Sequence, residues 1–271
     1  MRTGSDSGQD RNFDDLAARF KRNVYDRLKG DIRLAVLRRD LAEHVMPLSA
    51  LNSTMQHTPE RIKVLDAGGG QGQLCCDIAK FGHPVDLCDI SVEMLDLAKA
   101  QADAAGIDNI SFIHDSIQHV AGSKLNHYDL VLCHAVLEWV VEPRDLIRCL
   151  MHSLKPGGFP SLTFYNVNSI KMKNLLRANF RKVIDDDYTG YRGSLTPTYP
   201  RETCEVMEWL EGEHLDLLCH SGIRCFHDYI LEPSHRMVNP NEQMELELRL
   251  SRQEPFRSLG RYIHLLLKDS G

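Results

Sequence analysis

The stretch Val64-Leu65-Asp66-Ala67-Gly68-Gly69-Gly70-Gln71-Gly72 decides the fold, because in it an apolar strand runs directly into a cluster of glycines. A helical segment at residues 73–81 follows at once. Glycine lacks a Cβ atom, so the chain can turn sharply and a ligand can lie against bare backbone. The loop amides and the helix N-terminus would then point at that ligand. The alternative is a strand–helix turn that binds nothing.

The spacing of these glycines disfavours a dinucleotide. The dinucleotide fingerprint is Gly-x-Gly-x-x-Gly, whereas Gln73 occupies the position of the third glycine here. The next predicted strand, residues 84–89, ends in Asp89, seventeen residues after Gly72. An acid at about that distance, on the tip of the second strand, binds ribose hydroxyls in nucleotide folds. Alone, Asp89 would be an ordinary surface acid. Together with the glycine loop it predicts a ribose site.

The remainder of the chain alternates strands and helices, which predicts an α/β fold. We expect a doubly wound, mostly parallel seven-stranded sheet with helices on both faces. The predicted strands lie at residues 62–66, 84–89, 110–114, 128–133, 159–164, 215–226 and 261–267. The predicted helices include residues 73–81, 92–105, 143–154, 168–180, 202–212 and 240–251, and residues 155–158 form a tight turn before the fifth strand.

Composition and charge limit the class of protein. We expect residues 1–9 to be a disordered tail and residues 10–271 to form one domain, with a helical cap at 10–51 and a substrate-side insertion at 165–201. The net charge of −6 is not that of a general nucleic-acid binder. The eight cysteines lack a Cys-x-x-Cys pair, which predicts reduced thiols in a cytoplasmic protein without a metal site. No apolar run approaches the length of a membrane span.

Two basic segments interrupt this acidic background. Residues 11–39 hold nine Lys or Arg against four acids, and residues 168–201 hold seven against three. Such segments are usually solvated helix faces. They favour a nucleic-acid substrate only where both lie beside the cofactor pocket.

The glycine loop Asp-x-Gly-x-Gly-x-Gly resembles the cofactor loop of Rossmann-like class I methyltransferases. This resemblance implies S-adenosylmethionine (SAM) as cofactor and S-adenosylhomocysteine (SAH) as product. His134 lies at the carboxyl tip of a central strand, where ligands bind in open α/β sheets. The segment after it has neither the Asn/Asp-Pro-Pro-Tyr motif of amino-group methyltransferases nor a Pro-Cys nucleophile. Oxygen, sulfur and carbon acceptors therefore remain open.

More specific stretches resemble the bacterial tRNA 5-carboxymethoxyuridine methyltransferases. These stretches are residues 10–15, 64–72, 134–140, 164–166, 199–201, 223–229 and 252–264. The resemblance implies methyl transfer from SAM to the carboxylate of 5-carboxymethoxyuridine at the wobble position of tRNA. It also implies the cofactor residues: Arg33 for the methionine carboxylate, Gly68, Gly69 and Gly70 for the wall, Asp89 for the ribose, Ile117 and Gln118 for adenine, and His134 near the methyl group.

The acceptor site follows from the chemistry of a carboxylate. Its pKa is near 4, so the acceptor is anionic at neutral pH and needs no general base. We expect Arg224 or Arg201 to anchor it, because arginine grips a carboxylate with two parallel hydrogen bonds. Tyr165 and His227 are predicted to shape the uridine pocket. The acidic residues 185–187 stand where lysines occur in the family, which weakens a purely electrostatic grip on tRNA.

Two alternatives remain open at this point. One is a small-molecule O- or C-methyltransferase of the quinone-pathway type, and the other is a SAM-binding module without catalytic activity. The preferred interpretation predicts tRNA as the only macromolecular partner, with no DNA, no membrane and no obligate protein subunit.

Overall fold

A single seven-stranded sheet carries the part of the chain that the computed structural model describes, residues 28–45, 61–188 and 196–271. Its strands are β1 (Val64–Ala67), β2 (Val85–Asp89), β3 (Ile110–His114), β4 (Tyr128–His134), β5 (Leu154–Tyr165), β6 (Leu215–Ile223) and β7 (Tyr262–Asp269). They lie side by side in the order β3-β2-β1-β4-β5-β7-β6. Strands β1 to β5 run parallel, and β7 is antiparallel to both neighbours. The predicted fold class is confirmed.

The strand order reverses between β1 and β4, and this reversal positions the site. The chain leaves β1 toward β2 on one side and returns to β4 on the other. A crevice therefore opens at the carboxyl ends of these two strands, where open α/β sheets bind ligands. The glycine loop follows β1 and His134 ends β4, so both predicted features lie at that crevice.

Helices cover both faces of the sheet. They are α1 (Leu28–His44), α2 (Gln73–Lys80), α3 (Val92–Ala104), α4 (Ile117–Gly122), α5 (Pro143–Ser153), α6 (Val167–Leu175), α7 (Phe180–Ile184), α8 (Thr203–Leu210) and α9 (Pro240–Leu250), with 3-10 turns at His227–Tyr229, Pro233–Met237 and Arg257–Leu259. Alternate strand residues face opposite sides. Leu65 and Val131 therefore join one apolar cluster, and Val64 and Leu132 join the other, together with Leu37 of α1. No helix in the described ranges is long and apolar enough to cross a bilayer.

Several predicted boundaries differ from the structure. The fifth strand begins at Leu154 instead of 159, so residues 155–158 lie within β5. The register between β4 and β5 shifts between Tyr128 and Leu130, which accommodates these extra residues. The helix predicted over 168–180 is two helices, α6 and α7, because Ala178 adopts a positive φ of 55° between them. The sixth strand ends at Ile223 instead of 226.

The N-terminal cap is only partly visible. The described part of helix α1 runs from Leu28 to His44. Residues 1–27, 46–60 and 189–195 lie outside the described residues, so the predicted tail, most of the first basic segment and part of the substrate-side insertion are not described. The domain boundaries stay predictions.

Candidate active site

The glycine loop forms one wall of the cavity at the crevice. Gly68 has a φ of +72°, and a Cβ atom there would lie 2.6 Å from Cγ2 of Val136. Gly70 has a φ of +55°, a conformation that glycine adopts without strain, and nothing lies within 4 Å of a Cβ position there. The first glycine is required by packing and by conformation, and the second by conformation alone.

The loop amides do not point into the cavity as expected. The amides of Gly68 and Gly69 donate to the carbonyl of Cys88 at 2.9 and 3.2 Å. The amide of Gly70 donates to Oδ2 of Asp89 at 2.9 Å. This wall offers glycine backbone with its amides already engaged, which suits a cofactor without phosphate groups.

Asp89 is held in a fixed orientation at the end of β2. Its Oδ2 accepts from Gly70 and its Oδ1 accepts from the amide of Ser91 at 2.9 Å. Ser91 in turn caps helix α3 by accepting from the amide of Met94 at 3.2 Å. These contacts fix at the end of β2 a carboxylate, the group that accepts hydrogen bonds from ribose hydroxyls in nucleotide folds.

All eight predicted cofactor residues line the same cavity. They are Arg33, Gly68, Gly69, Gly70, Asp89, Ile117, Gln118 and His134. Arg33 comes from α1, and Ile117 and Gln118 begin α4 after the Ser116 cap. The cavity thus has a guanidinium group for a carboxylate, a carboxylate for a ribose and an apolar wall for a base, which is the set of groups that SAM requires. The contact of each residue with SAM stays a prediction.

Two buried carboxyl groups, one in the cavity wall and one in the segment after β4, were missed in the sequence. Asp66 ends the apolar run of β1 and lines the cavity, and burial raises its pKa to about 7 despite the nearby Arg33. Glu138 is fully buried, and burial raises its pKa to about 7 as well. In the sequence, each of the two stands only as an acidic residue beside apolar residues, and no motif marks it as part of a site. Both carry less negative charge at neutral pH than exposed carboxyl groups.

Arg201 occupies a structural position instead of an open one. Its Nε donates to the carbonyl of Leu137 and its Nη2 to that of Val140, each at 3.0 Å. Its guanidinium group also lies over the rings of Tyr199 and Trp209. Arg201 therefore braces the segment after β4, and this geometry does not favour it as the carboxylate anchor.

His227 is likewise engaged within the protein. Its Nδ1 lies 3.0 Å from Oε1 of Gln243, and its amide donates to Oε1 of Glu247 at 2.9 Å. Burial lowers the pKa of His227, which favours a neutral ring. It fixes the turn that carries Asp228, and its predicted role in shaping the uridine pocket stays a prediction.

Arg224 and Tyr165 lie in a connected group of aromatic rings and guanidinium groups. Tyr165 and Tyr262 meet edge to face with centroids 5.2 Å apart. Arg261 lies 4.6 Å from the Tyr165 ring, while Arg224 and Arg33 lie 5.6 and 5.9 Å from the Tyr262 ring. Tyr262 thus connects Arg33 at the cofactor cavity with Arg224.

Asp228 places a carboxylate beside two arginines of this group. Its Oδ2 lies 2.9 Å from Nη2 of Arg224 and 3.8 Å from Nε of Arg261. Burial alone would raise the pKa of Asp228, but the neighbouring cations hold it below its usual range. We call the set the Asp228 cluster: Asp228 with Lys29, Lys173, Arg224, Arg236 and Arg261.

The Asp228 cluster has more donors than acceptors. Among the described residues, the Nε atoms of Arg224, Arg236 and Arg261 are buried without a hydrogen-bond partner, and so is Oδ2 of Asp228. Burial, with Arg261 adding to it, lowers the pKa of Lys173 to about 8. The cluster holds five cations against one carboxylate. Buried charge that is not compensated is unfavourable, so the cluster has the properties of a site for an anion. Sequence reasoning found Arg224 here but missed the other four cations.

Comparisons with known proteins agree with this geometry. Residues 64–158 match a family described as a methyltransferase domain. The tRNA 5-carboxymethoxyuridine methyltransferase of Escherichia coli K12 is 42% identical over 258 residues, 95% of each chain. The ubiquinone biosynthesis O-methyltransferase of Serratia proteamaculans is 33% identical over only 39% of this chain and 44% of its own. Magnesium protoporphyrin IX methyltransferase of Synechocystis with bound SAH has a TM-score of 0.58 at 18% identity, covering 95% of this chain and 96% of its own.

The reversed strand order, the glycine wall and the Asp89 carboxylate define a class I methyltransferase that uses SAM. The similarity to the quinone enzyme covers less than half of either chain. The similarity to the E. coli tRNA enzyme extends over nearly the whole of both chains, and the chain belongs to the tRNA 5-carboxymethoxyuridine methyltransferase family.

Proposed function

We propose that this enzyme transfers a methyl group from SAM to the carboxylate of 5-carboxymethoxyuridine at the wobble position of tRNA. The product is the methyl ester. The name of the E. coli relative, which is similar over 95% of the chain, supports this substrate. The proposal places the enzyme in the cytoplasm, where tRNA is available. It requires neither DNA, nor a membrane, nor an obligate protein subunit.

The observation that carries the proposal is the position of the Asp228 cluster. Tyr262 lies between Arg33, which lines the cofactor cavity, and Arg224, which belongs to the cluster. A carboxylate bound at Arg224 would therefore lie next to the cofactor. An uncharged acceptor, such as a phenol, would leave the five cations of the cluster balanced by Asp228 alone. The charge of the site favours an acid as the acceptor.

For this methyl transfer the protein has mainly to orient the acceptor carboxylate toward the methyl group of SAM. Bound SAM supplies an electrophilic methyl group on a cationic sulfur. The acceptor carboxylate is already ionised at neutral pH, so no residue has to remove a proton from it. Arg224 and the Tyr262 ring orient the carboxylate, and positioning alone can contribute a large share of the rate. Because burial favours their neutral forms, Asp66 and Glu138 repel an incoming anion less than two ionised groups would.

Helices α6 and α7 offer a face for the RNA. Phe180 and Ile184 are exposed there, at 56% and 70%. Arg177 lies close enough to Lys173 to help lower its pKa, and Lys173 belongs to the Asp228 cluster. Exposed aromatic rings stack on unpaired bases, and cations bind phosphates. The face therefore suits the anticodon loop next to the reacting nucleotide. The acidic residues 185–187 border it, and their contact with tRNA stays a prediction.

A pair of synthetic anticodon stem–loops tests the acceptor group directly. One carries 5-carboxymethoxyuridine at the wobble position, and the other carries 5-methoxyuridine, which lacks the carboxylate. With labelled SAM, we expect label only in the first. Label in both would place the methyl group elsewhere and reject the proposal. A free small carboxylic acid that is methylated as fast as the stem–loop would favour a small-molecule methyltransferase.

A further inference from the structure

A line of polar side chains crosses the buried face under helix α1 and ends at the cofactor cavity. Asp40 of α1 lies with Oδ2 2.8 Å from Nδ1 of His264, on β7. Nε2 of His264 lies 2.9 Å from Oγ of Ser161, on β5. The same Oγ lies 2.9 Å from Nε2 of His134, at the end of β4. Asp40, His264 and Ser161 are fully buried, yet none of the three lines the cavity.

The charge at the first member is fixed. Oδ1 of Asp40 accepts from Nε of Arg39 at 2.9 Å and from Nη2 of Arg252 at 2.5 Å. Burial alone would raise the pKa of Asp40, but the hydrogen bond from His264 and the charge of Arg39 hold it well below its usual range. Asp40 is therefore ionised and can only accept a hydrogen bond from His264.

The direction of every other hydrogen bond follows from that charge. His264 is completely buried, and two arginines already pair with Asp40, so a second proton on the ring would add a buried charge with no counter-charge of its own. The direction of the bonds is therefore that of a singly protonated His264. Its Nδ1 carries the proton and its Nε2 accepts. The hydroxyl of Ser161 has one proton and gives it to His264. Its oxygen must then accept from His134, which places the proton of His134 on Nε2.

This order leaves a lone pair on Nδ1 of His134. Burial holds the pKa of His134 well below its ordinary value, and the charge of Arg33 acts in the same direction, so its ring is neutral. Within the described part of the chain, Ser161 is its only hydrogen-bond partner. His134 lines the cofactor cavity. An unprotonated ring nitrogen attracts a positive group, and SAM carries two, the α-ammonium group and the sulfonium.

We propose that Asp40, His264 and Ser161 form a hydrogen-bond chain that holds His134 as the Nε2–H tautomer and presents its Nδ1 lone pair to a cationic group of SAM. The three residues are positioning residues, because they act through His134 and do not touch the cofactor cavity. The inference concerns cofactor binding only, so it does not depend on tRNA being the substrate.

Nitrogen NMR of the SAM-bound protein, labelled with 15N in the histidine rings, tests the tautomer. Loss of one pair of ring signals in His134→Gln assigns them. We expect Nε2 of His134 to carry the proton and Nδ1 to be unprotonated. A protonated Nδ1, alone or together with a protonated Nε2, would overturn the proposal. This measurement on the wild-type chain does not depend on any variant folding.

Binding to the Ser161→Ala variant provides the second test. The matched control is Ser153→Ala, because Ser153 is equally buried but bonds only to the carbonyl of Leu150 within its own helix. We expect Ser161→Ala to weaken SAM binding about fivefold, the effect of one net hydrogen bond, and Ser153→Ala to leave it unchanged. Equal weakening of SAH would assign the α-ammonium group, and weakening of SAM alone the sulfonium. Unchanged binding of both ligands, or wild-type tautomer signals in Ser161→Ala, would refute the chain.

Discussion

Replacing Arg224 with glutamine separates two roles that its guanidinium group can have. It pairs with Asp228 at 2.9 Å, and in the proposed complex it also binds the carboxylate of the substrate. A hydrogen bond to a charged group contributes about 1.5–3 kcal/mol, which corresponds to a loss of roughly 10- to 150-fold in kcat/KM for tRNA. SAM binding should change little, because Arg224 does not line the cofactor cavity.

The matched comparison is Asp228→Asn. This variant removes the same ion pair but keeps the guanidinium group of Arg224. It also keeps Arg261, whose Nε lies 3.8 Å from Oδ2 of Asp228 in the wild type. If Arg224 binds substrate, Asp228→Asn should lose much less activity than Arg224→Gln. Without the Asp228 carboxylate, the cations of the cluster are less neutralised than in the wild type, so they bind an anion more strongly. Arg148→Gln, an exposed residue of α5, controls for loss of one surface charge.

Steady-state methyl transfer from labelled SAM gives kcat and KM for the three variants, and calorimetry gives the Kd for SAM. Equal losses in Arg224→Gln and Asp228→Asn would show that Arg224 acts only by holding Asp228. Wild-type turnover in Arg224→Gln would refute its role as anchor altogether.

Three further predictions concern stability, the cavity wall and the RNA. The pKa of Asp66 is raised from 3.8 to about 7, so its contribution to folding stability is fully present below the unfolded pKa and is lost as pH rises through about 7. Denaturant titrations at several pH values across that range should show that Asp66→Asn loses less stability with rising pH than the wild type. The same pH dependence of stability in both proteins would contradict the raised pKa. Gly68→Ala should destabilise the fold by about 1–3 kcal/mol, because its Cβ would lie 2.6 Å from Val136; an unchanged melting temperature would argue against the close contact. Activity on tRNA should fall steeply between about 50 and 200 mM salt, as counterions compete for phosphate contacts; activity indifferent to salt would favour a small-molecule acceptor.

Local patterns predicted the cofactor side of the site well. The glycine loop, Asp89 and the strand tips are each adjacent in sequence to the strand that places them, so the βαβ rhythm sets their positions. All eight predicted cofactor residues accordingly line one cavity. The direction of the loop amides was wrong, because their engagement by Cys88 and Asp89 depends on the neighbouring strand and not on the loop itself.

The substrate side could not be predicted to the same depth. The sequence does not distinguish an arginine that donates to backbone carbonyls, as Arg201 does, from one that lies in a cluster with excess positive charge, as Arg224 does. The Asp228 cluster draws its members from α1, α6, two 3-10 turns and the residues next to β6 and β7. The chain of hydrogen bonds from Asp40 to His134 includes a pair 224 positions apart. Such assemblies depend on tertiary packing, which carries no local periodicity.

The central claim is that the acceptor is the wobble carboxylate of tRNA. The direct measurement incubates the purified enzyme and labelled SAM with tRNA from cells that lack this enzyme, and then examines the digested nucleosides by mass spectrometry. We predict that 5-carboxymethoxyuridine gains the mass of one CH2 group and that other nucleosides are unchanged. Bound SAM without any gain on 5-carboxymethoxyuridine would contradict the claim.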